Sequence, residues 1–334
     1  MNRHTTFEGA VVACTTEQTQ LGEGVRWDGI RNELLRVDIL AGRVYRDRIE
    51  GDGALVGVGE HQLSGTVGMI TPIRGRDAGW LLGAGRGFVH LATDGTSRTL
   101  AEIAPAGTRM NDGACDPQGR FWAGTIADDH RPGAGALYRL DQWGRSELML
   151  DGLTISNGIG WSPAGTTMYL VDSGPGVVYA FAFDEEAGTI SGRRVLIEVP
   201  TGAGAPDGMT VDAHGFLWVA IYGAGQVRRY AADGSLREVY TVPAEQTTCC
   251  AFAGPGLHRL YVTTATEGWT DQQRREQPGA GLVYRLATTA TGRPAVPFAP
   301  HPTWWQTTVA RSDPKAGDDN PVHVAATPKE QSDV

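Results

Sequence analysis

Three phrases in the chain place a polar side chain directly before a glycine and five residues before a turn residue. Glu23 precedes Asp28 in EGVRWD, Asn157 precedes Ser162 in NGIGWS, and Asp207 precedes Asp212 in DGMTVD. A fourth phrase, NDGACD, is a near match, with Asn111 five residues before Asp116 and an extra acid inserted as Asp112. Taken alone, Asn-Gly and Asp-Gly are ordinary turn dipeptides. Yet a turn at Asp207-Gly208 followed so soon by a second at Asp212 would make a poor hairpin. Glu23 is also a poor turn residue, and its place at the same repeat position favours a site. Carboxylate and amide oxygens gathered in one place repel one another and resist desolvation unless a positive charge lies among them. All-oxygen donors suit hard divalent ions such as calcium, magnesium or manganese. Zinc or iron more often recruits histidine or cysteine, and no histidine occupies the equivalent position.

Close by lies TRMNDGACDPQGRFWAGTIADDH, in which Arg109 and Asn111 flank Met110. Alternation puts both polar side chains on one face of an extended segment. A guanidinium and an amide beside a metal would orient a polyhydroxylated or carboxylate-like ligand. The chain has no G-x-S-x-G elbow, Walker-type loop, H-E-x-x-H or helix-opening G-x-G-x-x-G. Any hydrolysis would therefore have to be metal-assisted.

These residues need a scaffold that brings distant segments to one point, and the sequence supplies a repeat. A Gly-containing turn followed by an apolar, aromatic-rich run recurs six times: DGIRNELLRVDI, RGRDAGWLLGAG, DPQGRFWAGT, SPAGTTMYLVDS, DAHGFLWVAIY and GPGLHRLYVTTA. Each is followed by a second turn and half-buried strand: GRVYRD, RGFVHL, GALYRL, GVVYAF, GQVRRY and GLVYRL. The spacing of roughly 40 to 50 residues is that of propeller blades, and no long amphipathic helical pattern competes with it. The pattern predicts an all-β, six-bladed β-propeller with four-stranded antiparallel blades around a central metal-binding channel. AVVACTT near the N-terminus is expected to complete the last blade. Equivalent inner-strand positions then all face one channel mouth. The propeller domain is expected over residues 1–297. The aperiodic, Pro- and Thr-rich segment 298–334 is expected to be a mobile C-terminal extension in which Trp304-Trp305 could dock.

Composition bounds the rest. The 334 residues carry 46 glycines, about twice the ordinary ~7% share, scattered as turns require. A net charge of -9 argues against nucleic acid as a partner. Cys14, Cys115, Cys249 and Cys250 show no C-x-x-C spacing, as expected of reduced thiols rather than a disulfide frame or zinc site. With neither a signal-peptide core nor an apolar run of membrane-spanning length, no membrane association is expected. A cytoplasmic monomer or weak homo-oligomer is expected.

LGEGVRWD, TRMNDGACDPQGRFWAGT, ISNGIGWS, APDGMTVDAHGFLWVA and TTCCAF together resemble the regucalcin (senescence marker protein), gluconolactonase and luciferin-regenerating-enzyme family, in order over roughly residues 10 to 300. The resemblance implies a propeller that binds one divalent metal ion (Ca, Mn, Mg, Zn or Fe) and hydrolyses a sugar lactone such as gluconolactone. It places metal ligands on Glu23, Asn157 and Asp207, and substrate contacts on Arg109, Asn111 and Asp129. Asp207 is expected to take the proton of the attacking water. Two departures stand out: Val25 where proline is common, and Asp129 where glutamate is usual, a carboxylate shorter by one methylene. A phosphoester hydrolase on the same site and a non-catalytic calcium-binding propeller are the alternative functions.

Overall fold

The computed structural model describes residues 4–7 and 11–310. Six sheets form the blades of a propeller: five are built on four successive antiparallel strands, and the sixth on three successive strands completed by one from the N-terminal region. The first blade contains Gly22–Asp28, Glu33–Asp38, Arg43–Ile49 and Leu55–Gln62, and the pattern repeats with inner strands Val67–Pro72, Thr108–Cys115, Ser156–Trp161, Ala205–Val211 and Thr247–Ala253. The recurrent apolar runs are the second strands and the GxVY-like phrases the third. Val11–Ala13 closes the ring by pairing with Tyr284–Leu286 of the sixth blade. Thr5–Phe7 adds a fifth strand, parallel to Leu236–Thr241, and Phe7 stacks on Tyr240.

Alternating strands send apolar side chains toward the neighbouring blades, so the core is a series of clusters between sheets. Leu35, Val37 and Val44 of the first blade meet Ile70, Trp80 and Leu82 of the second, all fully buried. Each such side chain contributes about 1.5–3 kcal/mol on burial. The turn aspartates bind these layers. Asp212 accepts bonds from the backbone N–H groups of His214 and Phe216, from Trp218 Nε1 at 3.0 Å and from Arg229 Nη2 at 3.0 Å. Asp116 is served likewise by Gln118, Arg120 and Trp122, and Asp28 by Ile30, Arg31 and Trp80.

Two findings go beyond the strand pattern. Asp271–Glu276 is a short helix begun by a capping box between Thr270 and Gln273. The chain also stays packed past 297, where the expected mobile extension begins. Thr291 to His301 crosses the edge at which the inner strands end. Its bonds run to Leu257 and Ala213, to Trp161 and Ser162 through Arg293, then to Pro72, Gly119 and Gln142. Phe298 is fully buried, and Trp304 and Trp305 of the helix Pro302–Ala310 pack against the same cluster. Residues 311–334 lie outside the described part. Among the described residues, no helix is long and apolar enough to cross a membrane.

Candidate functional site

Every inner strand slips register near its start. The shifts fall between Glu23 and Arg26, Val67 and Met69, Met110 and Gly113, Ser156 and Ile159, Pro206 and Met209, and Thr247 and Cys249. Such a bulge leaves residues unpaired and re-aims their side chains. Asn111, Asn157 and Asp207 each occupy the first unpaired position in their own blades. Glu23 is the last paired residue before its bulge, and its longer side chain spans the difference.

The glycine that follows answers the puzzle of Asp207-Gly208, because it marks a contact between inner strands and not a hairpin turn. A Cβ on Gly158 would lie 2.6 Å from Met209 N and 2.7 Å from Asp207 O, and one on Gly208 would lie 2.5 Å from Cys249 Sγ. Only glycine lets neighbouring strands converge this closely on the axis.

The result is one cavity of about 320 Å3 at the start of the inner strands, lined by Glu23, Arg109, Asn111, Asn157 and Asp207. Five of the six expected site residues therefore meet there. Arg109 Nη1 donates to Asn111 Oδ1 at 2.6 Å, and Asn111 Nδ2 donates to Ser156 O at 3.1 Å. Met110 between them is fully buried in the core, as the alternation requires. Asn157 Nδ2 donates to Ser173 Oγ at 3.1 Å, and that hydroxyl donates to Pro206 O at 2.6 Å.

Asp129 is not brought to this cavity. Its side chain is 61% exposed and pairs with Arg131 at 3.0 Å. The chain turns there through His130, at φ 55°, and His130 lines the cavity in its place. Two wall residues carry no repeat signature, Tyr222 at the end of a second strand and Glu267 just beyond another. Glu267 lies in ATEGWTDQQRREQ, and the only sequence signal for it is its place directly after a second strand.

The electrostatics are those of excess buried anion. Burial first, then the Asp207 and Asp112 carboxylates, push the Glu23 carboxyl well above its usual range. Burial and Asp112 do the same to Asp207, against a bond from Asn157. Asp112 is raised by burial, with Arg26 and the Gly113 N–H opposing. Burial lowers Arg109, while Glu267, Asp128, Glu23 and Asp207 work to keep it charged. Asn157 Oδ1 is buried without a hydrogen-bond partner. Two crowded carboxylates and an orphaned amide oxygen form a donor set that fits a hard divalent cation, which would supply the missing positive charge.

The comparisons agree with this geometry. Residues 21–266 match the family model described as SMP-30/Gluconolactonase/LRE-like region. The chain is 37% identical over 282 residues to pentonolactonase XacC of Haloferax volcanii, covering 82% of this chain and 93% of the relative. It is 33% identical to regucalcin of Xenopus laevis over 82% of this chain and 93% of that protein. Among solved structures, a calcium-binding protein, regucalcin, from Agrobacterium tumefaciens superposes with a TM-score of 0.81 at 30% identity, covering 89% and 99% of the two chains. With the bulges, their glycines and the ring closure all in place, the chain belongs to the SMP-30/gluconolactonase/LRE-like family.

Proposed function

We propose that this chain is a metal-dependent lactonase that opens a sugar lactone, such as an aldonolactone, to its acid. The observation that carries the reading is the orphaned Asn157 Oδ1 beside two mutually repelling buried carboxylates, in a cavity that also presents Arg109 and Asn111. Relatives named pentonolactonase and putative sugar lactone lactonase supply the substrate class, and a structural neighbour described as calcium-binding supports a divalent ion.

Glu23, Asn157 and Asp207 would hold the cation, which when bound polarises a carbonyl oxygen and acidifies water. The Asp207 carboxylate accepts the proton of the attacking water as its oxygen bonds to the carbonyl carbon. The ring C–O bond then breaks, and the same proton passes to the leaving alkoxide. Arg109 and Asn111, tied together at 2.6 Å, hold the lactone oxygens in line for attack.

The test is a pH-indicator assay over a panel of aldonolactones, using metal-stripped protein refilled with single divalent ions. Hydrolysis is expected only after refilling. Asp207→Ala should abolish metal binding and cut turnover by about 10⁴ or more. Arg109→Ala should raise KM about tenfold or more with metal affinity retained. Full activity in Asp207→Ala sinks the mechanism, and bound metal without hydrolysis of any lactone favours a calcium-binding role.

A further inference from the structure

The cavity lining is mixed. Leu21, Ile39, Ile126 and Ile155 supply apolar surface suited to the C–H face of a sugar ring, and Arg109, Tyr222 and Glu267 lie among them. With Asp129 turned to solvent, the acceptor for substrate hydroxyls has to come from another lining residue.

We infer that Glu267, oriented by Tyr222, is the residue by which the site recognises a polyhydroxylated, monosaccharide-sized ligand. This rests on the lactonase reading of the same cavity and names its hydroxyl-reading group.

Glu267 is unusually well fixed for a residue outside any strand. Its N–H donates to Gln246 Oε1 at 2.7 Å, and Gln246 Nε2 donates back to its carbonyl at 2.9 Å. Gln246 is itself buried and bridges to Tyr222. The preceding Thr266 is held from three sides. Its N–H donates to Gln20 O, its hydroxyl to Thr19 O, and it accepts from Arg274 Nη1 at 2.7 Å. The Glu267 backbone is thus immobilised at the seam between the fifth, sixth and first blades, while its carboxylate faces the cavity. Tyr222 lines the cavity with Glu267, and burial first, then the Glu267 and Asp207 charges and the hydroxyl's interaction with the Glu267 carboxylate, raise the phenol far above its usual range. One donor occupies one of several acceptor positions on a carboxylate, and the remaining lone pairs are open to ligand hydroxyls.

A preorganised acceptor of this kind discriminates strongly, because a ligand lacking the hydroxyl leaves the acceptor dry and unpaired. A cavity of about 320 Å3 holds one sugar ring and not a chain of them.

The test compares wild type, Glu267→Gln, Tyr222→Phe and Asp129→Ala on two lactones of one ring size. Xylono-1,4-lactone carries hydroxyls and γ-butyrolactone does not. Binding of xylitol, followed by calorimetry, gives a readout independent of hydrolysis. Glu267→Gln should lower kcat/KM for xylonolactone about 10- to 100-fold, the effect of losing a charged acceptor. It should change γ-butyrolactone hydrolysis and metal affinity by a clearly smaller factor, because Glu267 also acts on the charges of Arg109 and Asp207, and should weaken xylitol binding as much as it weakens xylonolactone turnover. Tyr222→Phe should shift both quantities the same way by a smaller factor. Asp129→Ala should leave the ratio at the wild-type value.

An unchanged ratio and unchanged xylitol affinity in Glu267→Gln overturn the assignment, as does a collapsed ratio in Asp129→Ala. If wild type hydrolyses neither lactone, the lactonase reading falls, and xylitol binding still decides Glu267. Binding lost in Glu267→Gln upholds the role. Binding that persists there, or that wild type lacks, removes it.

Discussion

Asp207 and Asp212 lie five residues apart on one edge of the fifth blade, both buried, and they face opposite fates. Asp212 receives two backbone N–H groups, an indole N–H and a guanidinium. Asp207 lies in a crowd of carboxylates, with an amide as its main polar support. The same contrast separates Asp28 from Glu23 in the first blade. Chemical type and burial therefore do not distinguish a structural acid from a functional one. The count of donors does. An acid supplied with four donors holds the fold, and an acid left short of positive charge holds a place for something else.

The contrast can be broken first at Asp212. Asp212→Ala leaves the Trp218 indole and two backbone N–H groups without their acceptor and Arg229 with Glu238 alone, and is expected to cost about 3–5 kcal/mol of stability. Chemical denaturation reads the loss, while the protein that remains folded keeps its metal affinity.

The opposite sign is expected at Glu23. The folded state raises its pKa, so in metal-free protein the group's stabilising contribution is full below the unfolded value and is lost as pH rises through the folded one. Glu23→Gln should then stabilise the metal-free protein at neutral and alkaline pH by on the order of 1–3 kcal/mol, with no gain near pH 4. Thermal melts across pH follow this directly, and calorimetry should find the metal affinity gone. A loss of stability at pH 8 would erase the distinction between the two classes of acid.

Asp112 sharpens the comparison because it lies between the classes, with the Gly113 N–H as a donor and the Arg26 charge as partial compensation. Asp112→Asn is expected to move metal-free stability by under about 1 kcal/mol, less than Glu23→Gln in the same melts.

Much of this was legible in the sequence because it rests on short-range pattern. The six turn-and-strand phrases gave the blades, and the step of five from polar residue to turn located the mouth. Register is the physical reason, since a bulge at one position in each inner strand is a local feature that repeats with the blade. Asp129 was misplaced in space because a loop's direction depends on single dihedrals. His130 at φ 55° turns the chain, and no periodicity encodes that. Glu267 and Tyr222 were missed for a related reason, as their position depends on Gln246 bonding across a seam between segments 21 residues apart. The stretch after 297 reads as disorder by composition. Burial of Phe298 against the edges of the second and third blades is a tertiary event that composition does not register.

The packed stretch from Thr291 to His301 follows every strand of the propeller in chain order. A polypeptide leaving the ribosome therefore makes every strand before it makes the piece that ties the second to the sixth blades together. The blades bearing Asn157 and Asp207 are both among those fastened, through Arg293 and Thr291. A premature stop shortly before 291 would remove these ties, and on the proposed reading would leave the blades of Asn157 and Asp207 in place with their mutual geometry unsecured.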